Sequence, residues 1–197
     1  MSFELKNVTV SYGEHVVLDQ ISLKAEDNET LYILGDSGTG KITLLRVIAG
    51  LETLREGSVK RSGNKLSVVF QEPRLFPTQT VLENMESVRT REDADRDTKE
   101  LLRLLDLTEA KDLYPQELSG GMQKRAAIAR ALSVHADIYV FDEPTGGQDK
   151  AHTEQIAAAI KTYTAGKTVL IATHDEYLQT LVNGNKLFIL DAKCTRI

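Results

Sequence analysis

The chain has 197 residues, 41% of them hydrophobic and 27% charged, with a formal net charge of −5. That length can bury one core, and the composition is that of a globular protein, which excludes a disordered or fibrous chain. The acidic balance, with no cluster of Lys and Arg, argues against a nucleic-acid partner, because a duplex-binding surface must displace counterions.

Residues 1 to 25 alternate polar and apolar in FELKNVTVSY and again in HVVLDQISLK, which reads as two half-buried strands joined through Gly13 and Glu14. Charges scattered through this N-terminus exclude a signal or transit peptide. A short apolar strand, Leu31 to Leu34, then leads into a glycine-rich loop and a helix with Leu44, Leu45, Val47, Ile48 and Leu51 on one face. A polar segment follows, and KLSVVFQ forms the next strand, ending at Gln71.

Between Phe76 and Glu117 the pattern is helical and strongly charged. After Gly121 a helix runs to about Leu132, followed by the strand DIYVF, the helix HTEQIAAAIKTYT and the strands KTVLIA and KLFIL. Strands alternating with helices imply an α/β fold with a mostly parallel sheet covered on both faces. The apolar runs are strand-sized, far below the ~20 residues that cross a bilayer, so membrane association must come through a partner. The one cysteine, Cys194, rules out an internal disulfide and fits a reducing, cytoplasmic location.

In open parallel sheets ligands bind beyond the carboxyl ends of the strands. Four predicted strands end in polar residues suited to one site: the loop Gly35 to Lys41, then Gln71, then Asp142 and Glu143, then Thr173, His174 and Asp175. In GDSGTGK, Gly35, Gly38 and Gly40 allow a close-approaching backbone whose N–H groups converge on phosphate oxygens, and the following helix adds its positive end. Lys41 reaches the terminal phosphates. YVFDEP supplies Asp142 to hold Mg²⁺ and Glu143 to orient or deprotonate a water. In ELSGGMQKRAAIARAL, Ser119, Gly120 and Gly121 open an amphipathic helix and make a second anion-binding terminus.

These motifs, GDSGTGK, the glutamine of VVFQEP, LSGGMQ, YVFDEP and the histidine of IATHD, occur in the order that marks the nucleotide-binding subunit of ATP-binding cassette (ABC) transporters, which the chain resembles over essentially its whole length. The resemblance implies a P-loop NTPase fold of the ABC type, with an N-terminal antiparallel β subdomain. Residues 1–72 and 118–197 would form the β and RecA-like core, and 73–117 an inserted helical subdomain. It implies ATP and Mg²⁺ as cofactors, with Gly35, Asp36, Ser37, Gly38, Thr39, Gly40, Lys41, Ile42 and Thr43 around the phosphates. Tyr12 would stack on adenine, Gln71 and Asp142 would serve the metal, and Glu143 and His174 would carry hydrolysis. Ser119, Gly120 and Gly121 would close on the γ-phosphate across a head-to-tail homodimer, or a heterodimer with another ATPase subunit. The helical subdomain would dock on membrane-spanning permease subunits, with Leu75, Phe76 and Val81 exposed to a partner helix. The protein would then sit in the cytoplasm, peripheral on the inner face of the cell membrane.

Two positions depart from the family pattern. Ile42 stands where a Ser or Thr hydroxyl ligates Mg²⁺, and Thr43, a helical step of about 100° away, does not simply replace it. Gln148 stands where Leu is usual in the loop TGGQD. Two readings follow: an ATPase that powers transport, or a nucleotide-dependent regulatory or binding module with slow or absent hydrolysis.

Overall fold

The computed structural model describes residues 2–36, 38–63, 65–184 and 186–189; Ser37 of the glycine loop and Cys194 lie outside the described residues. Strands β1 (Phe3–Tyr12) and β2 (His15–Ala25) form the expected hairpin, from Tyr12 opposite His15 to Phe3 opposite Ala25, with the register shifting at irregularities between Leu5 and Ser11. The polar segment after the first helix hides a third strand. β4 (Glu56–Arg61) pairs antiparallel with β1, giving a three-stranded sheet in the order β2-β1-β4. Of its six residues only Val59 is partly buried, so the period-two signal is missing and backbone pairing carries the strand. Gly57 crosses β1 so closely that a Cβ there would lie 2.4 Å from the Asn7 carbonyl oxygen.

The core is a five-stranded sheet with β3 (Thr30–Leu34), β5 (Leu66–Val69), β6 (Ile138–Asp142), β7 (Thr168–Ala172) and β8 (Lys186–Ile189) in the order β5-β6-β7-β3-β8. Every pairing in it is parallel. β6 and β7 are buried at every position, which is why both read as unbroken apolar runs. Successive side chains of β6 serve opposite faces. Ile138 and Val140 join an apolar cluster with Leu44, Leu45 and Ile48 of α1 (Lys41–Ala49) and with the hairpin. Tyr139 and Phe141 pack on the other side with Ile128 and Leu132 of α4 (Gly120–Leu132) and Ile156 and Ile160 of α5 (Lys150–Tyr163).

Some expectations need correction. Leu51 is not on the face of α1: Gly50, at φ 74°, ends the helix, and Leu51 beyond it is 63% exposed. β5 stops at Val69, so Gln71 sits in the loop after the strand rather than at its end. The stretch 76–117 is less helical than its charge pattern suggested, holding only α2 (Val81–Glu86), α3 (Thr98–Leu104) and two short 3₁₀ turns. Val81 is not exposed; it lies in the apolar core at 1% exposure, next to its N-cap Thr80. A short helix that the sequence pattern did not announce, α6 (Glu176–Leu181), is started by the Asp175 side chain, which accepts from the amides of Tyr177 and Leu178.

Candidate functional site

The carboxyl ends of β3, β6 and β7 open into one cleft of about 540 Å³, together with the loop that follows β5. Gly35, Asp36, Gly38, Gly40, Lys41, Ile42 and Thr43 line it, as do Gln71, Asp142, Glu143 and His174. Of the residues expected at the four strand ends, Thr173 and Asp175 do not line this cleft. In the loop, Gly40 is tightly constrained: at φ 93° it N-caps α1, and a Cβ there would lie 2.9 Å from Leu18 Cδ2 and 3.1 Å from the Val17 carbonyl oxygen. β2 is thus the back wall of the loop, and Val17 lines the cleft without having been anticipated.

Lys41 lies across the loop. Its ammonium donates to the carbonyl oxygen of Gly35 and, at 2.9 Å, to that of Asp36. Thr39 is buried and does not line the cleft; its hydroxyl donates to the Asp36 carbonyl at 2.9 Å and fixes the turn of the loop. Ile42 turns an apolar side chain, 44% exposed, into the same cleft.

Asp142 and Glu143 end β6 in different environments. Asp142 is 3% exposed, and burial, followed by the neighbouring Glu143 charge, pushes its pKa up, against a hydrogen bond from the Gln71 backbone and the charges of Lys41 and Lys124. Glu143 adopts φ 47°, which directs its carboxylate to β7: Thr173 Oγ1 donates to Oε2 at 3.1 Å, and His174 Nδ1 is 2.8 Å from Oε1. Thr145 Oγ1 donates to Asp175 at 2.6 Å and ties the loop after Glu143 to the segment after His174.

A divalent cation fits this donor set. The buried Asp142 carboxylate beside a second carboxylate favours a positive charge, and Gln71 and Thr43 bring further oxygen-bearing side chains to the cleft. Ile42, which also lines the cleft, supplies no oxygen to such a cation.

Two predicted elements stand outside the cleft. Tyr12 is 50% exposed and does not line it; its hydroxyl donates to Glu52 at 2.7 Å. Ser119, Gly120 and Gly121 start α4, where the Ser119 hydroxyl caps the helix by accepting from the Met122 amide at 3.2 Å. They line no part of the cleft either. Sequence reasoning missed Lys124, whose ammonium donates to the carbonyl oxygens of Glu143 and Gly146 at 3.1 and 3.0 Å. Its position three residues after Gly121, on the same helix face, was the available signal.

Comparison with known proteins agrees with this geometry. A family model described as ABC transporter matches residues 18–146. The octopine permease ATP-binding protein P of Rhizobium radiobacter is 33% identical over 218 residues, covering 94% of this chain and 83% of that protein. The glutamine transport ATP-binding protein GlnQ of Bacillus subtilis is 34% identical over 209 residues, covering 95% and 86%. A dimeric ATP-binding cassette in a post-hydrolysis state, bound to ADP and Pi, has a TM-score of 0.84 at 31% identity and covers 96% of this chain and 94% of that one. No helix among the described residues is long and apolar enough to cross a membrane. With its phosphate loop, paired carboxylates and histidine converging on one cleft, and with such relatives along nearly its whole length, the chain belongs to the ABC transporter family as an ATP-binding, ATP-hydrolysing subunit.

Proposed function

We propose that the cleft hydrolyses Mg²⁺-bound ATP with Glu143 as general base, and that two such cassettes meet head to tail for the reaction. The observation that carries the reading is the fixed Glu143 carboxylate, held by Thr173 and His174 in the wall of the cleft that the glycine loop also lines. The glycine loop and Lys41 would hold the phosphates. Asp142 and Gln71 would hold the cation, which supplies charge compensation on the phosphate oxygens. Glu143 would take a proton from the attacking water, and His174 would orient that water and the terminal phosphate. Ser119, Gly120 and Gly121, which line no part of their own chain's cleft, are available to a second cassette, whether a copy of this chain or another ATPase subunit. Tyr12, on the hairpin, would stack on the base.

Permease subunits would dock on the groove of about 530 Å³ between β5, α4 and the 73–117 segment, where the Phe76 side chain is 44% exposed. Asn84, fully buried, fixes that turn by bonding both the amide and the carbonyl of Phe76. Docking there would hold the protein at the inner face of the membrane. Phosphate release by the purified chain, with Mg²⁺ and with a chelator, tests the reading. Metal-dependent turnover that rises more steeply than protein concentration supports it, and nucleotide binding without turnover at any Mg²⁺ concentration favours the regulatory reading that Ile42 suggests.

A further inference from the structure

We propose that Lys124 is a positioning residue for Glu143, and that with Gln148 it ties the first turns of α4 to the loop 143–149 within a single chain. The inference rests on the reading of Glu143 as general base. Gly121, Lys124 and Arg125 share one face of α4, at the spacing that brings side chains together along a helix. That face looks onto the loop. Lys124 Nζ donates to the carbonyl oxygens of Glu143 and Gly146, at 3.1 and 3.0 Å. A Cβ at Gly146 would lie 3.1 Å from the ammonium, so the glycine leaves it room. Two residues further along, Gln148 bridges both ends of the turn: its Oε1 accepts from Arg125 Nη1 at 3.0 Å, and its Nε2 donates to the Gly121 carbonyl at 3.2 Å. Arg125 is itself buried and donates through Nε to the Leu105 carbonyl at 2.9 Å, which anchors this part of α4 to the helical segment.

These bonds meet at a strained residue. Glu143 holds φ 47° without being glycine, a conformation that persists only where its surroundings impose it. Its amide is fixed by the Ala172 carbonyl at 2.8 Å, and its own carbonyl by Lys124. The lysine spends a half-buried ammonium on two backbone oxygens, an expensive use of a cation unless the geometry it enforces matters. A displacement of the Ser119–Gly121 turn is therefore passed to the Glu143 backbone, and so to the direction of its carboxylate. Gln148, at a position where Leu is usual in this family, adds a second bond to that linkage.

Steady-state ATPase kinetics on the full chain test this. Lys124→Met keeps the length of the side chain and removes its donors; kcat is expected to fall about tenfold or more while the KM for ATP stays within about twofold. Lys124→Arg, which restores a cationic donor, is expected to recover most of the loss. Wild-type kcat in Lys124→Met, or a rise in KM as large as the fall in kcat, overturns the proposal. Should Lys124→Met fail to fold, Gln148→Leu decides it by the same split of kcat from KM, with unchanged kcat counting against the linkage. Glu143→Gln in the same assay separates the two layers. If it turns over like the wild type, the reading of Glu143 has failed; if it is inactive while Lys124→Met is normal, only the linkage has.

Discussion

His174 and Glu143 are bonded directly to each other, Nδ1 to Oε1 at 2.8 Å, although the histidine side chain is 82% exposed and the glutamate only 13%. An ionised carboxylate can only accept, so the hydrogen sits on Nδ1, and Nε2 is left for the cleft. Glu143→Gln should remove the base and keep the phosphate contacts. ATP binding is then retained, turnover is lost, and ATP drives the variant into a dimer visible by light scattering. A variant that stays monomeric with ATP at high protein concentration argues against the head-to-tail sandwich.

The histidine can be tested apart from the fold. Because the side chain is so exposed, His174→Ala should change stability by less than ~0.5 kcal/mol in chemical denaturation, while the hydrolysis rate falls by about tenfold or more. Equal losses of stability and rate would give His174 a structural role instead.

Lys41 is the loop's only cationic side chain, and it already spans the loop between the carbonyls of Gly35 and Asp36. Lys41→Ala should weaken ATP binding at least tenfold, or ~1.4 kcal/mol, in a calorimetric titration. Unchanged affinity would remove the phosphate assignment of the loop.

Ile42 faces the cleft and is not part of the core, so exchanging it leaves packing nearly intact. Ile42→Ser gives the cation an inner-sphere oxygen, and the Mg²⁺-dependent rate should rise about tenfold or more at limiting Mg²⁺, with a small change in melting temperature. A parent chain as fast as the serine variant at low Mg²⁺ would show that water or Thr43 already fills the position.

Asp142 is expected to cost stability. A carboxyl whose pKa is raised by burial binds its proton more tightly folded than unfolded, so stability falls as pH rises from the ordinary carboxylate value through the raised one, and stays lower above it. Asp142→Asn should therefore melt higher than the wild type at neutral pH without nucleotide, by ~2–4 °C for each kcal/mol relieved. The gain should vanish in acid, and turnover should be lost at every pH. A lower melting temperature at neutral pH would mean that Lys41 and Lys124 more than compensate the buried charge.

Much of this was legible in the sequence because burial writes itself into side chains. The hairpin alternates, β6 and β7 are unbroken apolar runs, and the polar residues that follow the strands converge as the parallel-sheet rule requires. What escaped was held by backbone or by distant partners. β4 has one partly buried side chain and pairs through its peptide groups, and α6 spans six residues, too few for a helical period. Val81 looked like a docking residue because an apolar side chain beside polar neighbours reads the same whether it turns inward or outward; its N-cap turned it inward. Lys124 and Gln148 stood out only by position, one on the face of Gly121 and one where Leu is usual; their partners, 19 and 27 positions away, could not be read from the sequence.

The strand order also sets a schedule for folding. β3, which launches the phosphate loop, lies between β7 and β8, with Thr30 opposite Val169 and Leu31 opposite Lys186. During synthesis the loop and α1 emerge long before either neighbour of β3 exists, and closing so long a segment is entropically slow. A nascent chain can thus build its hairpin early but holds an unflanked β3 until β7 is made, and the nucleotide cleft is completed only then. Ribosome-bound chains halted before residue 168 should accordingly fail to retain ATP, and they would expose the edges of β3 to other chains throughout that interval.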